Sequence, residues 1–131
     1  SASDYVNAIK INQRLGQELE KMFDQYDVLL SPVLASPPVK IGTIDMNTND
    51  MKTYVERLTK YSPFTGIFNQ SGQPSMSVPL FRTKDNLPIG SMFSAAFGNE
   101  NLLFSLAGQL ERAQPWAESL NDMRKILLET I

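Results

Sequence analysis

Cysteine and histidine are both missing from this chain of 131 residues. Without cysteine there can be no disulfide, no thiolate nucleophile and no thiolate-metal site. Without histidine, a Ser-His-Asp triad, histidine-ligated zinc and the usual neutral-pH proton shuttle are excluded. An excess of positive charge is missing too: 12 Lys and Arg face 14 Asp and Glu, for a net charge of −2. A nucleic-acid partner is therefore not expected. No apolar run approaches the roughly 18 residues of a membrane-spanning helix. The opening Ser1-Ala2-Ser3-Asp4-Tyr5 has no basic stretch leading into an apolar one, so a leader peptide is not expected. The chain reads as soluble, without a membrane partner, and a cytoplasmic location is expected.

What is present is ordinary for a globular unit. Apolar residues make up 42% and charged residues 20%, enough to build a core and too apolar for whole-chain disorder. The length fits one unit over residues 1–131 or part of a larger one. The first residue is not Met, and the first residues already read as helix, so a piece of a longer protein is expected.

Tyr5, Ala8, Ile11, Leu15, Leu19, Met22 and Tyr26 recur in steps of three and four. They predict an amphipathic helix capped by Ser3 and running to about Gln25. Gly16 is a weak point in it, and Lys10, Arg14, Gln17 and Lys21 are expected to face water. The continuous run Val28-Leu29-Leu30 predicts a buried strand, parallel to its neighbour. Ser31-Pro32 and the prolines at 37 and 38 then enforce an extended path. A polar loop follows from Gly42 to Asp50.

Met51, Tyr54, Val55 and Leu58 predict a short helix opened by Asn49-Asp50. Ser62-Pro63 predicts a second, with Ser62 as N-cap, ending at Ser71-Gly72. Met76, Val78 and Leu80 alternate as in a strand that stops at Pro79 or lies on an edge. Lys84-Asp85-Asn86 is the expected turn into a strand from Ile89 to Phe97 with cover on both faces. Ile89, Phe93, Ala95 and Phe97 should share one of those faces. Asn99 should cap a helix with Leu102, Leu106, Leu110 and Ala113 inward. A last helix is expected from Ser119, with Leu120, Met123 and Leu127 inward. The fold class is α+β: about three strands of a mixed sheet packed with four to five helices.

Candidate chemistry is sparse. A Ser-Lys dyad is the nucleophilic pair that a chain without histidine permits. Ser36 and Lys40 are separated by Pro37-Pro38, however, and an extended path keeps them apart. Ser71 and Ser75 flank Gly72-Gln73-Pro74 outside any nucleophile elbow and read as turn hydroxyls bonded to local amides. Asp24, Asp27, Asp45 and Asp50 lack calcium-loop or glycosidase spacing and read as solvated charges or caps. Gly98-Asn99-Glu100 lacks a phosphate signature, and Glu100 repels anions. Trp116 reads as a packing anchor, and Phe64, Phe68, Phe93, Phe97 and Phe104 as core. No catalytic set, cofactor site or metal site is visible. A chain this short cannot cover both faces of its strands generously, so apolar surface should be left for a partner or for a homodimer through the exposed sheet face.

The segment Tyr61-Ser62-Pro63-Phe64-Thr65-Gly66-Ile67-Phe68-Asn69-Gln70-Ser71-Gly72-Gln73-Pro74-Ser75-Met76-Ser77-Val78-Pro79 resembles the C-terminal part of amidase signature enzymes. So do Tyr26-Asp27-Val28-Leu29-Leu30-Ser31-Pro32, Asn86-Leu87-Pro88-Ile89-Gly90, Glu100-Asn101-Leu102-Leu103 and Gln109-Leu110-Glu111-Arg112-Ala113-Gln114-Pro115-Trp116. The order and spacing agree over most of the chain. Ala35-Ser36-Pro37-Pro38 and Asn69-Gln70-Ser71-Gly72-Gln73-Pro74 are most similar to the branch containing 6-aminohexanoate cyclic-dimer hydrolase.

The resemblance implies a fragment of the amidase signature α/β fold. It implies a parent that hydrolyses non-peptide amide bonds, linear or cyclic, by a Ser-cisSer-Lys triad, without a cofactor. The Gly/Ser-rich catalytic loop and the catalytic Lys of that family have no counterpart here. No catalytic residue is therefore carried over, and the isolated chain is expected to be inactive. Its partners would be the missing N-terminal catalytic portion and, in the parent, a small-molecule amide. The resemblance places Thr59, Ser62, Gly66 and Asn69 beside the substrate channel. Ser62 as a helix cap and Gly66 as a close-packing site are the purely structural alternatives. A non-catalytic binding or assembly module derived from the same fold is the alternative for the whole chain.

Overall fold

The computed structural model describes residues 1–117, 121, 124, 125 and 128. Among them, four helices and three strands follow in the order α1 (Ala2–Phe23), β1 (Leu29–Pro32), α2 (Met51–Tyr61), α3 (Gly66–Ser71), β2 (Ser75–Arg82), β3 (Pro88–Ser94) and α4 (Glu100–Ala113). The expected last helix at Ser119, Leu120, Met123 and Leu127 falls outside the described residues. The α+β class holds.

The sheet is antiparallel throughout, with β3 between β1 and β2. The expected parallel pairing of Val28-Leu29-Leu30 and the mixed sheet are thus corrected. That run does not belong to a strand covered on both faces. β1 is an edge strand whose burial alternates, and Leu30 remains 62% exposed. A continuous apolar run in sequence has become an alternating one in space.

β3 is covered on both sides, as its composition predicts. Ser91, Met92, Phe93, Ser94 and Ala95 are buried in succession. The strand itself ends at Ser94, three residues before the expected end at Phe97. Val78, Phe93, Ala95 and Leu103 form the core, joined by half-buried Met76, Leu102, Leu106, Leu110 and Trp116. α4 thus closes one sheet face, and Trp116 serves as a packing anchor. Of the inward positions expected on α4, Ala113 is exposed, while Leu103 is the residue most deeply buried.

β2 passes through Pro79 instead of stopping there. The register runs from Val78↔Ser91 to Phe81↔Ile89, one residue more on β2 than on β3. This bulge absorbs the proline, whose missing N–H is harmless on an edge strand. The β2–β3 turn closes with the Thr83 amide donating to the Leu87 carbonyl at 2.8 Å and Asn86 at φ 63°.

α1 starts two residues earlier than Ser3 predicts, with Ser1 as its N-cap. The Ser1 hydroxyl accepts from the Asp4 amide, and the Asp4 carboxylate accepts in return, a reciprocal cap that Ser3 cannot make. The C-terminal half of α1 crosses α3 where Gly16 meets Ser71, and Leu15, Leu19 and Met22 of that half are half-buried. Tyr5, Ala8 and Ile11, expected inward, are exposed on its N-terminal half, and Tyr26 beyond its end is exposed as well. The polar residues Lys10, Arg14, Gln17 and Lys21 face water as expected.

Asp50 caps α2 as expected, accepting from the Thr53 amide at 3.0 Å. Ser62 closes α2 and does not open α3, whose N-cap is Thr65. The reason is local: the Ser62 amide is consumed by the Leu58 carbonyl at 2.8 Å, the last helical bond of α2. α3 ends at Gly72 with φ 85°, a left-handed position that glycine occupies without penalty.

Candidate functional site

The pairing register sorts the sheet into two chemically different faces. Met76 and Leu30 lie opposite Phe93, and Val78 lies opposite Ser91, on the apolar face under α4. Ser75 and Leu29 lie opposite Ser94, and Ser77 and Ser31 opposite Met92, on the other. That second face carries four serines. Of these Ser94 is buried, and a buried hydroxyl must find a partner: Ser94 Oγ lies 2.7 Å from Ser75 Oγ.

α3 covers part of this serine face. Between them is a cavity of about 200 Å³ lined by Thr65, Phe68, Asn69, Gln73, Ser75 and Met92. Phe68 supplies the buried apolar wall. Gln73 follows the left-handed turn and is only 6% exposed. Its Nε2 donates to the Gly16 carbonyl at 3.3 Å, tying α1 to the turn between α3 and β2, while its Oε1 is buried without a partner.

The four residues singled out by resemblance separate here. Asn69 lines the cavity. Ser62 reaches it indirectly, its Oγ 2.9 Å from Thr65 Oγ1, and Thr65 lines the cavity. Gly66 is exposed, with open space where a Cβ would stand, so it is not a close-packing glycine. Thr59 is exposed on α2 and turns back on its own helix, donating to the Val55 carbonyl at 2.7 Å. Gln73, Thr65 and Ser94 were not singled out from the sequence. The alternation of Ser75 and Ser77 with Met76 and Val78 carried the signal, because it marks a polar strand face.

No triad is assembled by these groups. Ser71 Oγ donates to the Ile67 carbonyl at 2.7 Å, a local bond, though to a carbonyl and not to an amide. Ser75 bonds across the sheet to Ser94, not to a local amide as expected. Ser36 Oγ donates to the Pro37 carbonyl at 3.2 Å. Among the described residues, no cluster of three or more Asp or Glu could hold a metal. The carboxyls held below their usual range lie elsewhere: Asp4 by the N-terminal ammonium, Glu18 by Lys21, Asp50 by Thr53. The acids read as caps or solvated charges behave so, since Asp50 caps α2 and Asp45 accepts from the Asn47 amide at 2.8 Å. Of the phenylalanines expected in the core, Phe68 and Phe93 are buried and Phe64 half-buried. Phe97 and Phe104 are 72% and 75% exposed. Phe97 lies beyond the strand end, its ring edge 3.5 Å from where a Gly72 Cβ would stand.

Among the described residues, no helix is long and apolar enough to cross a membrane.

Comparison with known proteins agrees with this frame. The family model named Amidase matches residues 1–104. A Mycobacterium leprae protein named as an amidase, AmiC, is 39% identical over 110 residues, covering 84% of this chain and 23% of its own. The 6-aminohexanoate-cyclic-dimer hydrolase of Paenarthrobacter ureafaciens is 34% identical over 110 residues, covering 77% of this chain and 22% of its own. A solved structure of 6-aminohexanoate cyclic dimer hydrolase superposes with a TM-score of 0.64 at 32% identity, over 77% of this chain and 22% of that one. The chain thus spans less than a quarter of the length of these relatives. With a family model matched over residues 1–104 and a relative 39% identical over 84% of this chain, the chain belongs to the amidase family.

Proposed function

We propose that this chain is the C-terminal structural and substrate-channel segment of an amidase-family hydrolase that cleaves non-peptide amide C–N bonds, in linear or cyclic amides. The reactive serines and lysine of the Ser-cisSer-Lys mechanism then belong to the preceding part of the parent, and the isolated chain is inactive. The observation that carries this reading is the match to about a fifth of each relative, joined to the state of the hydroxyls. Ser62, Ser71, Ser75 and Ser94 are each engaged by another hydroxyl or a backbone carbonyl. None is presented as a nucleophile beside a base.

In the parent, the cavity under α3 would border the substrate. Asn69 and the Ser62–Thr65 hydroxyl pair supply polar groups suited to an amide, and Phe68 and Met92 supply apolar contact. Thr59 and Gly66, which lie outside this cavity, would border the channel beside it from α2 and the start of α3. The preceding catalytic portion would seat itself on the exposed apolar surface of α1, which includes Tyr5, Val6 and Ile11.

The test has two arms. The isolated chain, assayed with 4-nitroacetanilide, should give no turnover. Turnover abolished by one Ser→Ala substitution in this chain would overturn the reading. In the second arm, the chain replaces the matching segment of the Paenarthrobacter hydrolase. Activity should persist there, and Asn69→Ala should raise KM more than it lowers kcat.

A further inference from the structure

The stretch between β1 and α2 leaves the sheet, bends over residues 33–37, and returns along the C-terminal half of α2. It is tied there at two points. The Ala35 amide donates to the Tyr61 carbonyl at 2.9 Å. Arg57 Nη1 donates to the Thr43 carbonyl at 3.2 Å. Between the two ties lies a cavity of about 380 Å³. Its apolar lining includes Ala35, Val39, Ile44 and Tyr61, and its charged lining is Arg57 and Lys60. None of its lining residues is acidic. Acids nearby on these elements have other partners: Glu56 Oε1 lies 4.0 Å from Lys52 Nζ, the Asp45 carboxylate accepts from the Asn47 amide, and Asp50, whose carboxyl also feels the Arg57 charge, accepts from the Thr53 amide.

The chemistry of this lining narrows the ligand. Apolar walls favour hydrocarbon, at about 25 cal/mol for each Å² removed from water. Two cations one helical turn apart repel each other, and an anion between them relieves that repulsion. A guanidinium already held at one nitrogen keeps its remaining donors in a fixed fork, which matches the geometry of a carboxylate. The volume falls in the roughly 300–1,000 Å³ range of small-molecule sites. We propose that this groove binds a medium-chain aliphatic monocarboxylate, with its hydrocarbon between the loop and α2 and its carboxylate at Arg57 and Lys60. The site lies wholly within this chain and does not depend on the preceding function reading.

The experiment titrates the isotopically labelled full chain with octanoate, read by amide chemical shifts and calorimetry. Octanol supplies the tail without the charge, and acetate the charge without the tail. Octanoate should saturate the site, with shifts at residues 39–44 and 57–61, and either control should bind about tenfold more weakly or less. Lys60→Gln, which touches neither tie between loop and helix, should weaken octanoate by up to about fivefold. Arg57→Gln should weaken it further, with Lys60→Gln as the guard against a loop that has merely opened. Octanoate shifts elsewhere on the chain, no binding, equal binding of octanol, or unchanged affinity in Lys60→Gln would each overturn the site.

Discussion

A Cβ placed on Gly16 would stand 3.3 Å from the carbonyl oxygen of Ser71. The backbones of α1 and α3 therefore meet almost without side chains between them, and the glycine marks the crossing. The Gly16 carbonyl also receives the Gln73 side chain, so the crossing fixes the turn that leads into β2. Gly16→Val should destabilise the chain by about 2 kcal/mol, because a branched side chain has to push two backbones apart. Gly16→Ala should lie between Val and wild type, since a gain of about 1 kcal/mol in helix propensity opposes the tight contact. Urea unfolding of the three proteins checks the order.

Gln73 is the second half of the same joint. It is buried, and one end of its amide is bonded to α1. Gln73→Ala should cost about 2 kcal/mol through the lost hydrogen bond to the Gly16 carbonyl and the lost side-chain volume. Gln73→Glu should cost more, because it puts a charge where no cation waits. Thermal unfolding at neutral pH measures both, and an unchanged midpoint in Gln73→Glu would contradict the burial.

Adjacent residues on α4 give the sharpest contrast. Leu103 is 4% exposed and Phe104 75% exposed. Leu103→Ala should cost about 3 kcal/mol, since it opens a void beneath the helix that closes the core. Phe104→Ala should cost less than about 0.5 kcal/mol and raise solubility. Denaturant midpoints decide it, and equal losses would mean that α4 is rotated from the orientation described.

The physical reasons for what could be read in advance are visible in these same residues. α2 and α4 were legible because Asp50 and Asn99 stand at their starts and apolar steps of three and four follow. β3 was legible because small and apolar residues alternate on both of its faces. The direction of β1 was not, since an apolar run of three says nothing about its neighbour. The cap at Ser1 was hidden because Ser3 is an equally good cap until the Asp4 carboxylate is seen to close the box. Ser62 was misplaced because a Ser-Pro pair signals a helix start, yet the Leu58 carbonyl claims its amide first. Of the site, Asn69 was legible through resemblance alone. Gln73 was not, because burial of a polar side chain depends on α1 arriving from far away in the sequence.

Asp50 gives the pH dependence a definite sign. The Thr53 hydroxyl and amide hold its carboxyl below the usual range. A carboxyl with a lowered folded-state pKa stabilises above its unfolded pKa, and the contribution disappears as pH falls through the folded value. α2 should therefore keep its full capping at neutral pH and lose it below about pH 4. Asp50→Asn should flatten that part of the acid transition, since Asn caps without titrating. Circular dichroism against pH, compared between the two proteins, makes the measurement. An unchanged acid limb in the variant would assign it to Asp4 or Glu18 instead.

The sheet edge decides how the chain behaves in solution. Among the described residues β1 has a neighbour on one side alone, and Leu30 stands exposed on the α4 side of the sheet, opposite Phe93. An open edge with an apolar side chain is a template for a further strand. The exposed Tyr5, Ile11, Phe97 and Phe104 add apolar surface that a closed monomer of this size rarely carries. Sedimentation should show concentration-dependent self-association of the chain. Leu30→Lys should weaken it by charging the edge, while leaving the far-UV spectrum unchanged. Association that survives Leu30→Lys but falls with Tyr5→Lys would move the contact from the sheet to α1, and a monomer at every concentration would remove the sheet face as an interface between copies.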